Sequence, residues 1–79
     1  MTMTIRHEKR YLQLGLNIAY YRKLKRFTQI RLAEAVGISR THMSNIEAPR
    51  VEKSISLNVL FDISEILGIE PSKLLEIRE

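Results

Sequence analysis

A short polar segment in the middle of the chain carries hydrogen-bonding side chains of modest length at helical spacing. In RTHMSNI, residues 40–46, Met43 and Ile46 fall on one side of a helix and the other side is polar. A surface helix with a purely structural role is expected to use Glu, Lys and Ala instead. Side chains of this kind can bond to base edges in a major groove, where Arg pairs with guanine and Asn with adenine. The candidate base contacts are Arg40, Thr41, Ser44 and Asn45.

Other kinds of chemistry find no support in the sequence. The chain has no cysteine, which excludes disulfides, thiolate metal sites and thiol catalysis. His7 and His42 are not accompanied by carboxylates at metal-ligand spacing. Nucleophile elbows, phosphate-binding glycine loops and zinc-protease motifs are absent from the sequence. We therefore predict no enzyme activity, no metal and no cofactor.

Two short helices joined by a tight turn must position the polar face. Between Gln29 and Ile46, Ala33 permits close approach of the helices and Gly37 can adopt the positive φ of a tight turn. An αα-corner with only a structural role has a similar pattern. The polar face of the second helix of the pair favours a functional role over a purely structural one. The predicted shared core of the pair consists of Leu32, Val36, Ile38, Met43 and Ile46.

The apolar spacing elsewhere is also helical, so we predict an all-α domain of five helices. The first helix is expected from about His7 to Lys25. Thr28, Ser39 and Ser56 are predicted to cap the second, third and fourth helices, because hydroxyl side chains accept hydrogen bonds from the first free backbone N–H groups. The apolar stripe of the first helix consists of Tyr11, Leu14, Ile18 and Tyr21. Core packing is therefore favoured over base stacking for Tyr11 and Tyr21, and Tyr20 is left open.

The second half of the chain follows the same rules. Gly37 and Gly68 are predicted to end the second and fourth helices, and Pro49 to stop the third. The fourth helix has Leu60, Ile63 and Leu67 on its inner face, with Phe61 and Ile66 beside them. Pro71 is expected to begin a fifth helix carrying Leu74, Leu75 and Ile77.

Length and charge set the class of protein. The 79 residues form one predicted domain, spanning 1–79, with a short N-terminal extension over about residues 1–8. We expect no membrane segment and a cytoplasmic location. Residues 1–31 contain eight lysines and arginines against one glutamate, residues 32–53 balance, and residues 54–79 contain two bases against five acids. This asymmetry is typical of a surface that faces a polyanion, although a solvated surface has the same composition.

The sequence resembles the Xre/Cro-type helix-turn-helix domain of phage repressors and small bacterial regulators. The resemblance is carried by FTQIRLAEAVGISRTHMSNIE followed by SLNVLFDISEILGI, and it extends from about Leu14 to Leu75. The RTHMSNIE run also resembles the controller proteins of restriction-modification systems. The family implies a compact, five-helix, lambda-repressor-like fold in which the third helix enters the major groove.

Site residues follow from the resemblance by position. Gln29 and Asn58 match phosphate contacts, and Arg22 and Glu47 match a buried ion pair that ties the first helix to the third. The loop before Ser56 is longer than in compact members. Because this loop approaches the DNA backbone in the family, its Arg50 and Lys53 are either phosphate contacts or solvated residues.

One further departure concerns the first turn. Arg26 stands where many members have Gly or Asn, so the turn between the first two helices either is strained or has another geometry.

The resulting hypothesis is a homodimeric, sequence-specific regulator that binds double-stranded DNA at an inverted repeat, since one such domain contacts too little DNA to select a site. The alternatives are an antitoxin-like module that binds a protein and uses DNA secondarily, and a nonspecific nucleic-acid binder driven by basic charge. No small-molecule ligand is expected. The candidate dimer residues are Leu57, Leu74, Leu75 and Ile77, each of which is alternatively part of the core.

Overall fold

The computed structural model describes residues 7–48 and 55–77. These residues form five helices: α1 (Glu8–Leu24), α2 (Gln29–Val36), α3 (Arg40–Glu47), α4 (Leu57–Leu67) and α5 (Pro71–Leu74). The predicted all-α fold is thus confirmed, and α1 differs from its predicted bounds by one residue at each end. Pro49, Arg50 and Lys53 lie outside the described residues, as do residues 1–6 of the predicted N-terminal extension.

The three predicted hydroxyl caps are present. Thr28 accepts a hydrogen bond from the backbone N–H of Arg31, Ser39 from that of His42, and Ser56 from that of Val59. Each cap therefore satisfies one of the free backbone donors in the first turn of its helix. Gly37 follows α2 with a left-handed backbone (φ 89°), which turns the chain sharply into α3.

The core forms where α1 packs on α3 and α5, α2 packs on α3 and α4, and α4 packs on α5. The predicted inner faces are confirmed, because Leu32, Met43 and Ile63 are completely buried. Tyr11 and Tyr21 pack against this core as expected, and Tyr20 is about half exposed with its ring edge-on to that of Tyr21. In the described part of the chain no helix is long and apolar enough to cross a membrane.

Two expectations about the C-terminal end are wrong. The fifth helix ends at Leu74, so Leu75 is its C-cap and Ile77 lies beyond it. Leu74 is 0% exposed and belongs to the core, so it cannot form a surface contact. A single helical turn buries only one side, and Leu74 occupies that side because α5 packs on both α1 and α4.

Candidate nucleic-acid interface

The polar face of α3 is held above a buried apolar face. Met43 and Ile46 anchor α3 in the core. On the opposite side Arg40 and Thr41 are exposed, while Ser44 and Asn45 are half-buried. The four side chains predicted to contact bases therefore lie within the first two turns of α3, on the side opposite its buried residues.

A buried charge cluster connects α1, α2 and α3. Glu47, the last residue of α3, accepts hydrogen bonds from Arg22 Nε at 2.6 Å and Arg22 Nη2 at 3.0 Å. The Arg22 and Glu47 side chains are only 10% and 5% exposed. Arg22 Nη1 also donates to the carbonyl oxygen of Phe27, in the turn before α2. The ion pair implied by the family resemblance is therefore present. It is bidentate, the geometry that makes Arg–carboxylate pairs directional.

Gln29 is part of the same cluster, which the sequence did not indicate. Its Nε2 donates to Glu47 Oε1 at 2.9 Å, so the first residue of α2 is bonded to the last residue of α3. Glu47 is thereby held by two elements, and α3 cannot rotate without breaking bonds to both. Removal of one member of a buried ion pair costs about 3–5 kcal/mol, because the other charge remains buried.

Gly15 sets how closely α1 approaches the end of α3. A Cβ atom at this position would lie 2.6 Å from the carbonyl oxygen of Glu47 and 2.7 Å from that of Ile46. Atoms this close cannot be accommodated without moving backbone, so only glycine permits the observed packing. From the sequence alone, Gly15 is only a weak point in a helix, because the backbone of Ile46 and Glu47 that it contacts is more than thirty residues away in the chain.

The other three predicted phosphate contacts are Asn58, Arg50 and Lys53. Asn58, the second residue of α4, is exposed. Arg50 and Lys53 lie outside the described residues.

A second surface lies between the N-terminal part of α1, the start of α4 and the segment after α5. It is a mostly apolar groove of about 590 Å³, whose lining includes Tyr11, Leu57, Leu75 and Ile77. Leu57, Leu75 and Ile77 are 66%, 55% and 54% exposed. Three of the four predicted dimer residues therefore meet at one groove.

Two apolar residues of α4 are more exposed than the sequence predicts, and one of them is Ile66, which was expected beside the inner face and is 39% exposed. Phe61, expected beside the inner face of α4, is about half exposed and lies one turn beyond Leu57. Residues four apart share one face of a helix, so Phe61 lies on the same side of α4 as Leu57, although it does not itself line the groove.

Comparisons with known proteins agree with this geometry. The model of the helix-turn-helix family HTH_3 matches residues 18–74. The control protein C.SmaI of Serratia marcescens is 32% identical over 62 residues, which is 78% of this chain and 71% of that protein.

Solved structures give the same result. The restriction-modification controller protein C.AhdI from Aeromonas hydrophila is 26% identical with a TM-score of 0.73, over 81% of this chain and 94% of that one. SinR of Bacillus subtilis, a master regulator for biofilm formation solved in complex with DNA, is 30% identical with a TM-score of 0.73, over 80% of this chain and 98% of that one. The chain therefore belongs to the Xre-type helix-turn-helix family of DNA-binding transcription regulators.

Proposed function

We propose that the protein is a sequence-specific transcription regulator that acts as a homodimer on an inverted-repeat operator in double-stranded DNA. The observation that carries this proposal is the polar face of α3, exposed on one side of a helix that is anchored by Met43 and Ile46 on the other. In a helix-turn-helix the second helix of the pair enters the major groove and contacts base edges. We assign base contacts to Arg40, Thr41, Ser44 and Asn45.

Two helix N-termini supply phosphate contacts in this proposal. Gln29 is the first residue of α2 and Asn58 the second residue of α4, and the N-terminus of a helix favours an anion. A side-chain amide has two N–H donors. Gln29 gives one to Glu47, and we assign the other to a phosphate oxygen. Arg50 and Lys53 are proposed as further phosphate contacts from the loop before α4.

The apolar groove and the size of the domain support the proposed homodimer. A single domain of this size contacts few base pairs, so selection of one site requires a second copy. The exposed side chains of Leu57, Leu75 and Ile77 line one continuous groove, which is the type of surface that association covers. We therefore assign self-association to this groove.

The relatives support a role in regulation. SinR was solved with DNA, and C.SmaI and C.AhdI are named as a control protein and a controller protein of restriction-modification. We infer a comparable role on DNA for this chain. The proposed regulator needs no small-molecule ligand, so the concentration of the protein sets how much of the operator is occupied.

Selection of bound duplexes from a random library at near-physiological salt tests DNA recognition. We expect an inverted repeat whose half-sites are about 10 base pairs apart, the separation of two recognition helices in a dimer. Arg40→Ala and Asn45→Ala should each weaken binding to the selected site by about 1–3 kcal/mol and leave nonspecific binding nearly unchanged. Glu65→Ala, on the exposed side of α4, is the control and should alter neither.

Two results of this experiment would contradict the proposal. Equal, mild losses on all sequences in the α3 variants would favour a nonspecific nucleic-acid binder. A folded protein that selects no motif would favour the antitoxin-like alternative, in which a protein is the main partner.

Sedimentation velocity over a concentration series tests self-association. We expect a monomer–dimer equilibrium that Leu57→Glu shifts to monomer, because a charge would be buried at the interface. Leu16→Glu is the matched control, since Leu16 is 62% exposed on α1 but is not among the residues that line the groove. A shift of equal size in both variants would argue against the groove as the contact surface.

A further inference from the structure

Asn17 is a buried polar residue with no part in the proposed contacts to DNA. It lies in the middle of α1 and is 1% exposed. Its Nδ2 donates to the backbone carbonyl of Leu74 at 2.9 Å and to that of Glu76 at 2.8 Å, and its Oδ1 accepts from Gln13 Nε2 at 2.9 Å. A single side chain thus bonds α1 to the segment that follows α5.

The two carbonyls belong to the residues on either side of Leu75, which lines the groove. Leu74 ends α5, and the next residues leave the helix while Leu75 and Ile77 line the groove. The N–H of Leu75 still donates to the carbonyl of Ser72 at 3.1 Å, but Glu76 and Ile77 lie outside regular secondary structure and have no helical backbone ladder to hold them. The donations from Asn17 to the Leu74 and Glu76 carbonyls add a constraint on each side of Leu75, and the second one holds backbone beyond the helix.

The other contacts of this segment hold it less firmly. Lys73 and Glu76 form an ion pair at 3.7 Å, but both side chains are about half exposed, and such pairs contribute little. Leu74 is fully buried and fixes the start of the segment, but it lies before Leu75. The bond from Asn17 to the Glu76 carbonyl therefore constrains the backbone between the two groove residues.

We propose that Asn17 is a positioning residue for self-association: it fixes the backbone on which Leu75 and Ile77 are presented to a second copy of the chain. This role rests on the homodimer proposed above. A buried amide has to replace its bonds to water, and here both of its donors are used on backbone that reaches the groove. An apolar residue of similar size would fill the same space and leave that backbone free.

Asn17→Leu tests the proposal, because it keeps the branching of the side chain at Cγ, with a somewhat larger volume, and removes both donors. Asn17→Ser, which is too short to reach both carbonyls, serves as a second variant if the first is not folded. Gln13→Leu is the matched control, since it removes the amide that bonds to Asn17 Oδ1 and leaves both donations in place. Dimer Kd is measured by sedimentation, affinity for a single DNA half-site by fluorescence anisotropy, and the order of residues 75–77 by ¹⁵N relaxation, all under conditions where circular dichroism shows folded protein.

We expect the Asn17 variants to raise the dimer Kd by about tenfold or more, because one or two hydrogen bonds that hold the backbone of the groove residues are lost. Residues 75–77 should become more mobile, half-site affinity should change by less than about twofold, and Gln13→Leu should dimerise as the wild type does. An unchanged dimer Kd in an Asn17 variant would overturn this role and leave the homodimer standing. A wild-type chain that remains monomeric at every concentration would overturn the homodimer and this role with it.

Discussion

Arg26 adopts a backbone conformation that side chains other than glycine avoid. Its φ is 66°, and among the described residues it is the one non-glycine residue with a positive φ. The N–H groups of Arg26 and Phe27 bond to the carbonyls of Lys23 and Arg22, the paired bonds of a Schellman helix end. The turn thus keeps the usual left-handed geometry. Of the two outcomes expected from the sequence, strain or another geometry, the strained one is found, and it costs about 1–2 kcal/mol.

Replacing Arg26 by glycine is therefore expected to stabilise the protein. Arg26→Gly relieves the strained φ, and we expect the free energy of unfolding to rise by about 1 kcal/mol after the greater freedom of glycine in the unfolded chain is subtracted. Urea denaturation followed by circular dichroism measures it. Lys25→Gly is the control: Lys25 has a φ of −89°, so it should gain nothing. A lower free energy of unfolding in Arg26→Gly would show that the Arg26 side chain stabilises the fold by more than its strained backbone destabilises it.

At Gly15 the opposite change is expected. Gly→Ala inside a helix normally stabilises by about 1 kcal/mol, but the new Cβ would lie within 2.9 Å of three backbone atoms of α3. Overpacking of this kind costs about 1–3 kcal/mol, so Gly15→Ala should lower the free energy of unfolding. Lys9→Ala on the exposed side of α1 is the control, measured in the same urea titration. A gain in Gly15→Ala would mean that α1 and α3 separate easily.

At the scale of elements, α3 is the helix whose stability bears directly on DNA binding. It has only eight residues, and short helices depend on capping and packing rather than on intrinsic propensity. Ser39 supplies its cap through a bond of 2.9 Å to the N–H of His42.

Ser39→Ala should therefore destabilise the protein by about 1 kcal/mol and weaken operator binding. Both effects arise because fraying begins at Arg40 and Thr41, the residues proposed to contact bases. Thermal unfolding and electrophoretic mobility shift on the selected operator are the measurements. Ser39→Thr retains the hydroxyl and should bind nearly as the wild type does. Loss of affinity in both variants alike would point to a direct contact of Ser39 with DNA instead of a capping role.

At the scale of the whole molecule, charge is divided along the chain. The first 31 residues have a net charge of +7 and residues 54–79 one of −3. Six of the eight positive residues in that first part fall on α1 and the turn to α2, whereas α4 carries the acids Asp62 and Glu65. Such a division favours one orientation toward a polyanion and steers its approach.

Operator affinity should fall steeply with salt. Between about 50 and 200 mM salt we expect at least a tenfold loss, because counterions released from phosphates oppose binding as salt rises. The plot of log K against log salt concentration measures this. Glu65→Gln, in the acidic half, should leave the slope unchanged. A flat plot would contradict phosphate contacts as a main source of affinity.

The sequence alone determined the helices and the polar face of α3. Helix ends at Thr28, Ser39 and Gly37 depend on bonds and backbone angles within a few residues, and apolar periodicity depends on helix geometry alone. Both are local properties, so they can be read without knowledge of the fold. The ion pair of Arg22 and Glu47 was also anticipated, through the family resemblance rather than through local spacing.

Only the tertiary structure decided which apolar residues are buried and which polar groups meet. Leu74 and Leu75 are adjacent, yet one is 0% and the other 55% exposed, because α5 packs against both α1 and α4 and ends after one turn. Asn17 finds its acceptors 57 and 59 residues away, and Gly15 is required by carbonyls of α3. Contacts at such separations follow from how helices cross, which the spacing within one helix does not encode.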